Sequence, residues 1–169
     1  DELAVFDIDA TVLEKDPDYT LIEKLANQSR MPVCYGGGVK TVEQAQKIFS
    51  LGIEKIAISS AVIQNPILIS EISERVGSQS VIVVLDVKKK FLGGYEIYTH
   101  NGKKKTGINP IKFAQKAQDL GAGEVIVNSI DNDGMMKGFD MNLLNEIRQV
   151  LSIPITVLGG AGSLNDIKK

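Results

Sequence analysis

Short, continuous runs of apolar residues alternate along the chain with longer amphipathic stretches. The apolar runs are rich in Val and Ile without strict polar alternation, which predicts strands buried on both faces. Between most of them, apolar residues recur at helical spacing, as at Leu21, Ile22 and Leu25, and this predicts helices. Strands that alternate with helices pair in parallel, so the pattern predicts an α/β fold. The predicted strands are Leu3–Ile8, Pro32–Tyr35, Lys55–Ser59, Val81–Val87, Glu124–Ile130 and Ile155–Leu158.

Local signals place several boundaries within this pattern. Thr41 followed by Gln44 predicts a capping box, and Asn65 before Pro66 predicts the N-cap of another helix. Residues 88–106 interrupt the alternation with two short strand-like runs and a turn sequence. We expect them to form a two-stranded β-hairpin inserted over one rim of the fold.

An internal repeat sets the expected architecture. Arg30–Gly38 aligns with Ser152–Gly160, and Pro154 lies 122 residues after Pro32. Duplication of a four-unit segment predicts a (β/α)8 TIM barrel of about 245 residues. We therefore expect residues 1–169 to form a single barrel domain that covers about strands 2 to 7, with the hairpin after strand 5 and with strands 1 and 8 outside the chain. A doubly wound open sheet is the alternative.

Composition and charge narrow the class of protein. Apolar residues make up 43% of the 169 positions and charged residues 24%, which is an ordinary balance for a soluble globular protein. The net charge of −2 gives no general attraction to nucleic acid or membrane surfaces. The single cysteine, Cys34, is expected to be a small buried hydrophobe and fits a reducing compartment. These features predict a cytoplasmic protein with neither a nucleic-acid nor a membrane partner.

Carboxylates follow the two most apolar predicted strands. Asp86 ends the run Val81–Leu85, whereas Asp131 and Asp133 follow Glu124–Ile130. Partial burial raises the pKa of a carboxyl group, which suits Asp86 to general acid–base chemistry, although capping a loop amide is the ordinary alternative. The segment around Asp133 lacks the terminal Glu of a calcium loop, and no metal or cofactor is predicted. His100, the only histidine, is expected to be exposed and noncatalytic.

Glycine loops follow two of the predicted strands at equivalent places in the repeat. Gly37 with Gly38 and Gly159 with Gly160 each precede a predicted helix start, where free backbone amides suit an anion. Ser59 and Ser60 add hydroxyl donors beside the first loop. Steric need for glycine in a tight turn is the alternative for each loop alone. The pair predicts a site for a substrate with two phosphates.

Motifs along the whole chain resemble one family. The chain is similar to the cyclase subunit of imidazole glycerol phosphate synthase in the motifs Cys-Tyr-Gly-Gly-Gly-Val, Ser-Ser-Ala-Val-Ile-Gln-Asn-Pro, Asp-Val-Lys, Asn-Gly-Lys-Lys-Lys-Thr-Gly, Gly-Ala-Gly-Glu-Val, Ser-Ile-Asp-Asn-Asp-Gly and Leu-Gly-Gly-Ala-Gly.

The resemblance implies a (β/α)8 barrel of histidine biosynthesis that uses ammonia from a partner glutaminase. Its substrate is a ribulosyl nucleotide with two phosphates, and its products are imidazole glycerol phosphate and an aminoimidazole carboxamide ribotide. Asp86 matches the strand-five aspartate of an acid–base pair whose strand-one member has no counterpart in this chain. The remaining implied roles are one phosphate site at Gly38, Ser59 and Ser60, part of the other at Gly134 and Gly160, and an ammonia gate at Glu2, Lys55 and Glu124.

Departures from the family pattern leave two other functions open. Ser59-Ser60 replaces the commoner Asn-Thr, and Asp-Asn-Asp-Gly-Met-Met replaces Asp-Arg-Asp-Gly-Thr. Both resemble a cyclase-related branch associated with surface polysaccharides, which is thought to use ammonia for amidation or amidination of sugars. The other alternative is a noncatalytic fragment that binds phosphate or docks a glutaminase. For the charged gate residues, a salt-bridged plug that seals the barrel is the alternative.

Overall fold

The computed structural model describes residues 2–168. These residues divide into two compact units, of which the first comprises residues 2–83 and 120–123 and the second residues 84–119 and 124–168. Strand β4, Val81–Lys89, begins in the first unit and continues in the second.

The first unit contains three β/α repeats. Strand β1 pairs with β2, β2 with β3, and β3 with the start of β4, always in parallel. Because the strands are parallel, their carboxyl ends lie at one edge of the sheet, and the loops that follow them share that edge. The elements are β1 (Leu3–Phe6), α1 (Tyr19–Gln28), β2 (Val33–Gly36), α2 (Val42–Ser50), β3 (Lys55–Ile58), α3 (Ser60–Gln64), α4 (Ile67–Val76) and a 3-10 turn (Ser78–Ser80).

Local chemistry explains where these elements begin and end. The predicted capping box is confirmed, because the Thr41 hydroxyl accepts the Gln44 N–H and the Gln44 side chain accepts the Thr41 N–H. The predicted start of the next helix at Asn65 is shifted by one residue: α4 has Pro66 at its N-cap, although Pro66 already has helical dihedral angles and the Asn65 carbonyl accepts the Leu68 N–H. Strand β1 ends two residues before the predicted Ile8, because the Asp7 carboxylate accepts the N–H groups of the next turn.

The second unit continues the β/α alternation. Strand β7 pairs with β4 and, in parallel, with β8. Helices α5 and α6 turn buried apolar residues inward, such as Phe113 and Leu143. From residue 84 onward the elements are the rest of β4, β5 (Tyr95–Thr99), β6 (Lys104–Lys105), α5 (Pro110–Asp119), β7 (Glu124–Ser129), α6 (Met141–Arg148), β8 (Ile155–Leu158) and α7 (Leu164–Ile167).

The insertion after the fifth predicted barrel strand is larger than the expected two-stranded hairpin. Strand β4 runs two residues beyond Val87 and pairs antiparallel with β5, which pairs in turn with β6. Strand β4 is extended because its last two residues pair with β5: Lys88 faces Glu96, and Lys89 faces Tyr95. The result is a three-stranded antiparallel ribbon built on the end of a parallel strand.

Burial agrees with the prediction for the central strands. All four residues of β2 are buried, and β4 is buried from Val81 to Leu85. Strands β1 and β8 are more exposed than predicted, as the 40% exposure of Leu3 shows. Within residues 2–168 each of these two strands has a single strand neighbour, so one edge of each is not covered by a strand.

The predicted fold class is confirmed. The chain is α/β, and both units are made of the successive parallel β/α repeats that build a (β/α)8 barrel, with the antiparallel insertion after β4. The prediction of one domain over residues 1–169 stays a prediction.

Candidate functional site

Asp86 lies on β4 between Leu85 and Val87, which are almost inaccessible to solvent. Its own side chain is only partly buried. Burial raises the pKa of the Asp86 carboxyl above its ordinary value; a hydrogen bond from Asn128 opposes the shift, and the charge of Asp133 adds to it. A carboxyl group with a raised pKa can exchange protons with a substrate closer to neutral pH than an exposed aspartate can.

Asn128 is the direct partner of this carboxylate and was missed in the sequence. Its Nδ2 group donates a hydrogen bond of 2.9 Å to Asp86 Oδ1. The sequence offered only a weak indication of this role, namely an amide side chain directly after the buried run Val125–Val127. Nothing in local sequence says that this amide faces a residue on another strand.

The two acids that follow β7 have different surroundings. Asp131 accepts the backbone N–H of Lys89 at 2.9 Å, so its carboxylate caps a strand amide. Asp133 lies near enough to Asp86 for its charge to raise the pKa of that carboxyl. The structure therefore gives Asp131 a structural hydrogen bond and places Asp133 in the electrostatic environment of Asp86, while their binding roles stay predictions.

Gly159 brings the end of β8 against this cluster. A Cβ atom there would lie 2.6 Å from the Ser129 carbonyl oxygen and 3.2 Å from Asn128 Oδ1. Its φ of +84° also favours glycine. Gly159 therefore permits an approach of two backbones that a larger residue would block.

Gly160 and Gly134 are the other glycines assigned to the predicted second phosphate site. The Gly160 carbonyl accepts the Gly138 N–H at 2.8 Å, and a Cβ atom at Gly160 would collide with the Gly138 carbonyl oxygen. Gly134 has a φ of +70° with open space where a Cβ would stand. Glycine is thus required at position 160 because a side chain would collide with its neighbour, and at position 134 because of the backbone conformation alone.

In the first unit, Gly37 and Gly38 lie against the loop that follows β1. A Cβ atom at Gly37 would be 2.6 Å from the Asp7 carbonyl oxygen, and one at Gly38 would be 2.9 Å from that of Lys15. Steric need explains both glycines, as the alternative reading had it. An anion-binding role for their amides stays a prediction.

Ser59 and Ser60 follow β3, the parallel neighbour of the strand that leads into Gly37. Both serines therefore lie at the same edge of the sheet as the glycine loop. The Ser59 hydroxyl is buried and has no hydrogen-bond partner within the described part of the chain. Since an unpaired buried hydroxyl costs free energy, this position favours an additional group that Ser59 can bind.

The three predicted gate residues occupy the opposite, amino-terminal ends of strands. In the first unit, Lys55 Nζ lies 2.8 Å from Glu2 Oε2, and both side chains are partly exposed. In the second unit, Glu124 Oε1 accepts the Thr156 hydroxyl at 2.6 Å. The Glu2–Lys55 pair fits either a gate or a plug, and Thr156 is a further partner that the sequence did not indicate.

Other candidates carry less chemistry. Cys34 is buried in β2, as predicted. His100 is partly buried in the turn between β5 and β6, and its Nδ1 lies 3.0 Å from the Thr99 hydroxyl. Residues 2–168 contain no group of His, Cys, Asp and Glu side chains arranged to hold a metal ion. No helix among them is long and apolar enough to cross a membrane.

The β/α repeats define a protein of the (β/α)-barrel class, and in the second unit Asp86, Asn128 and Gly159 form a candidate active site at strand ends. The sequence profile of the family described as "Histidine biosynthesis protein" matches residues 1–169. The chain therefore belongs to that family, as a HisF-like member.

Similar proteins carry related names. A Vibrio vulnificus protein named "Putative imidazole glycerol phosphate synthase subunit hisF3" is 51% identical over 170 residues, which cover 100% of this chain and 65% of that protein. The "Putative imidazole glycerol phosphate synthase subunit HisF" of Leptospira interrogans is 53% identical, with 99% and 66% covered. The "Imidazole glycerol phosphate synthase subunit HisF" of Petrotoga mobilis is 41% identical, with 98% and 66% covered. The chain thus spans 65–66% of the length of these relatives.

Proposed function

We propose that the full-length protein is a cyclase that uses ammonia to convert a two-phosphate ribulosyl aminoimidazole nucleotide into imidazole glycerol phosphate and an aminoimidazole carboxamide ribotide. The observation that carries this proposal is the partly buried Asp86 carboxyl, whose pKa burial raises and which Asn128 orients at the end of a core strand. The name of the Petrotoga mobilis relative supports the same reaction.

Asp86 acts in the proposed mechanism as one member of an acid–base pair. Ammonia attacks the ribulosyl carbonyl carbon, water leaves, and the resulting imine closes the imidazole ring as the ribotide is released. The Asp86 carboxylate takes a proton from the nitrogen that ammonia supplies and returns it to a leaving group. Asn128 fixes the rotamer of this carboxylate, and the strand-one aspartate implied by the family resemblance serves the other face of the substrate.

The proposal includes two anion sites, one in each unit, because the family resemblance implies a substrate with two phosphates. The buried Ser59 hydroxyl, Ser60 and the backbone at Gly37 and Gly38 bind one phosphate. The other phosphate binds near Gly134, Gly159 and Gly160, next to Asp131 and Asp133. Fixing both ends of the substrate positions its reacting carbonyl at Asp86, which lowers the entropic part of the barrier.

Ammonia reaches the site through the opposite end of the barrel in the same proposal. The family resemblance implies a charged gate to which the first unit contributes Glu2 and Lys55 and the second unit Glu124, with a glutaminase subunit supplying the ammonia. The salt bridge of 2.8 Å between Glu2 and Lys55 is the closed state in this proposal, and it must open before ammonia can pass. The word "subunit" in the names of the relatives supports a partner protein.

Replacement of Asp86 tests the catalytic role. In the full-length gene product, Asp86→Asn should reduce ammonia-dependent turnover by about 10²- to 10⁴-fold with little change in substrate affinity, because proton transfer is lost while the shape of the side chain is kept. Asp119→Asn is the matched control, since Asp119 is exposed and accepts a surface hydrogen bond from Gln115. Unchanged turnover of Asp86→Asn would remove this residue from the mechanism.

A second candidate function is ammonia-dependent modification of surface-polysaccharide sugars. The observation that favours it is the higher identity to relatives named "Putative", at 51% and 53%, than to the HisF of Petrotoga mobilis, at 41%. The Ser59-Ser60 pair and the Met135-Met136 pair are departures that point the same way. Rescue of a cyclase-deficient histidine auxotroph by the full-length gene supports the first function, and failure to rescue supports the second.

A further inference from the structure

The antiparallel ribbon places an aromatic side chain directly beside Asp86. Asp86 on β4 faces Tyr98 on β5, and Tyr98 faces Lys105 on β6. Directly opposite residues of an antiparallel pair project from the same face, with Cβ atoms roughly 4.5–5.5 Å apart. Tyr98 is therefore the nearest aromatic neighbour that the ribbon gives to the proposed acid–base group.

The two faces of the ribbon have different environments. Val87 and Ile97, which alternate with Asp86 and Tyr98, are at most 1% exposed. On the same face as Val87 and Ile97, the Tyr95 hydroxyl donates a hydrogen bond of 2.9 Å to Asp140, which holds the start of β5 in place. On the opposite face, Asp86, Lys88 and Tyr98 are only partly buried while Glu96 beside them is buried, so the part of this face around Tyr98 is open to a ligand.

Lys88 shares the face of Tyr98 and adds positive charge. Its ammonium group lies 5.7 Å from the centre of the Tyr98 ring, within the range of a cation–π contact. Lys88 faces Glu96, but Glu96 is buried and instead pairs with Lys105 at 3.4 Å and accepts the Gly107 N–H. Lys88 is thus left to orient the Tyr98 ring.

We propose that Tyr98 is a substrate-binding residue, on whose ring the planar heteroaromatic base of a phosphorylated nucleotide stacks next to Asp86. Lys88 is a positioning residue that orients this ring and attracts the anionic ligand. The proposal rests on the proposed function for the kind of base, an aminoimidazole. Stacking on an aromatic ring recognises the planar base whatever its hydrogen-bonding groups are, so Tyr98 adds affinity for the base that phosphate anchors alone do not provide.

Binding of two probes tests this assignment in the full-length gene product. The probes are aminoimidazole carboxamide ribotide, which has the base, and ribose 5-phosphate, which lacks it. Tyr98→Leu should weaken binding of the ribotide about tenfold and of ribose 5-phosphate less than twofold, whereas Tyr98→Phe keeps ribotide affinity within about threefold of the wild type. Lys88→Met should weaken ribotide binding about threefold. Lys104→Met is the control and should change nothing, because Lys104 faces Thr99 on the other face of the ribbon.

A second variant gives a direct optical signal and does not depend on Tyr98→Leu folding well. The sequence contains no tryptophan, so Tyr98→Trp places an indole at this position. Saturating ribotide should quench its fluorescence, whereas ribose 5-phosphate should not.

Three results would overturn the assignment: equal losses of affinity for both probes in Tyr98→Leu, no loss for either probe, or wild-type protein that binds neither. Unquenched Tyr98→Trp fluorescence at saturation would do the same. Failure of the proposed function is a separate result, since absent cyclase turnover together with Tyr98-dependent ribotide binding would reject the reaction and keep the binding residue.

Discussion

The hydrogen bond from Asn128 to Asp86 leads to a prediction about pH dependence. Burial raises the pKa of Asp86, and the Asn128 donor partly opposes this by stabilising the ionised carboxylate. Replacing Asn128 by Ala removes that donor, so the pKa of Asp86 should rise further. If ionised Asp86 is the catalytic base, the acidic limb of the profile of kcat/KM against pH moves to higher pH.

The size of the effect follows from the geometry. A hydrogen bond to a charged group contributes about 1.5–3 kcal/mol when its partner is deleted. Because Asp86 is only partly buried, water replaces part of the lost donor, and we expect a value near the lower limit, ~1.5 kcal/mol. A difference of about 1.4 kcal/mol is tenfold, so kcat/KM should fall about tenfold on the acidic limb and far less on the plateau at higher pH.

The assay is steady-state turnover of the full-length gene product with free ammonia over a range of pH. Asn109→Ala is the control: it also deletes a hydrogen-bonding asparagine side chain, here an exposed one that accepts the backbone N–H of Lys112 at 3.0 Å. This control should lose about 1 kcal/mol of stability and keep the wild-type profile. An acidic limb that stays in place in Asn128→Ala, or moves to lower pH, would refute the reasoning.

Three further predictions concern stability. Because the pKa of Asp86 is raised in the folded state, ionisation of this carboxyl costs stability once the pH exceeds its ordinary range. Asp86→Asn should therefore have a larger free energy of unfolding than the wild type at pH 8. In denaturant titrations this difference should vanish near pH 3, where the wild-type carboxyl is protonated. Tyr95→Phe should lower the free energy of unfolding by about 1.5–3 kcal/mol, because it loses the hydrogen bond to Asp140. Burial raises the pKa of Tyr95 to about 12, so the wild type should lose stability as the pH rises from 10 to about 12, and Tyr95→Phe should lose less over that range. Gly160→Ala should destabilise more than Gly134→Ala in thermal melting, because the first adds a collision to a strained φ that both share, and equal melting temperatures would contradict the contact.

The sequence was sufficient to predict features that depend on local chemistry. The capping box at Thr41 requires only two side chains within one turn, and it is present as predicted. The apolar runs at β2 and β4 predict burial because each run leaves no polar face for solvent. Ile155–Leu158 has the predicted bounds, although its burial alternates along the strand where burial on both faces was predicted.

Features that depend on distant pairing were not predictable in the same way. Asp86 and Asn128 are 42 residues apart, and only the neighbouring positions of β4 and β7 bring them into contact. The extension of β4 beyond Val87 requires β5 as a partner, which periodicity within β4 cannot show. The start of α4 is one residue later than predicted because Asn65 still belongs to the end of α3, where its N–H bonds to the Ala61 carbonyl.

Asp140 joins two parts of the second unit through one side chain. Both of its carboxylate oxygens accept the Tyr95 hydroxyl, and Oδ1 also accepts the N–H of Leu143 at the start of α6. The first turn of α6 and the ribbon strand β5 therefore share a stabilising group, and we expect their amides to open together in hydrogen exchange, with similar free energies. Through this carboxylate, the stability of the ribbon that carries Tyr98 is coupled to that of helix α6, which lies more than forty residues further along the chain.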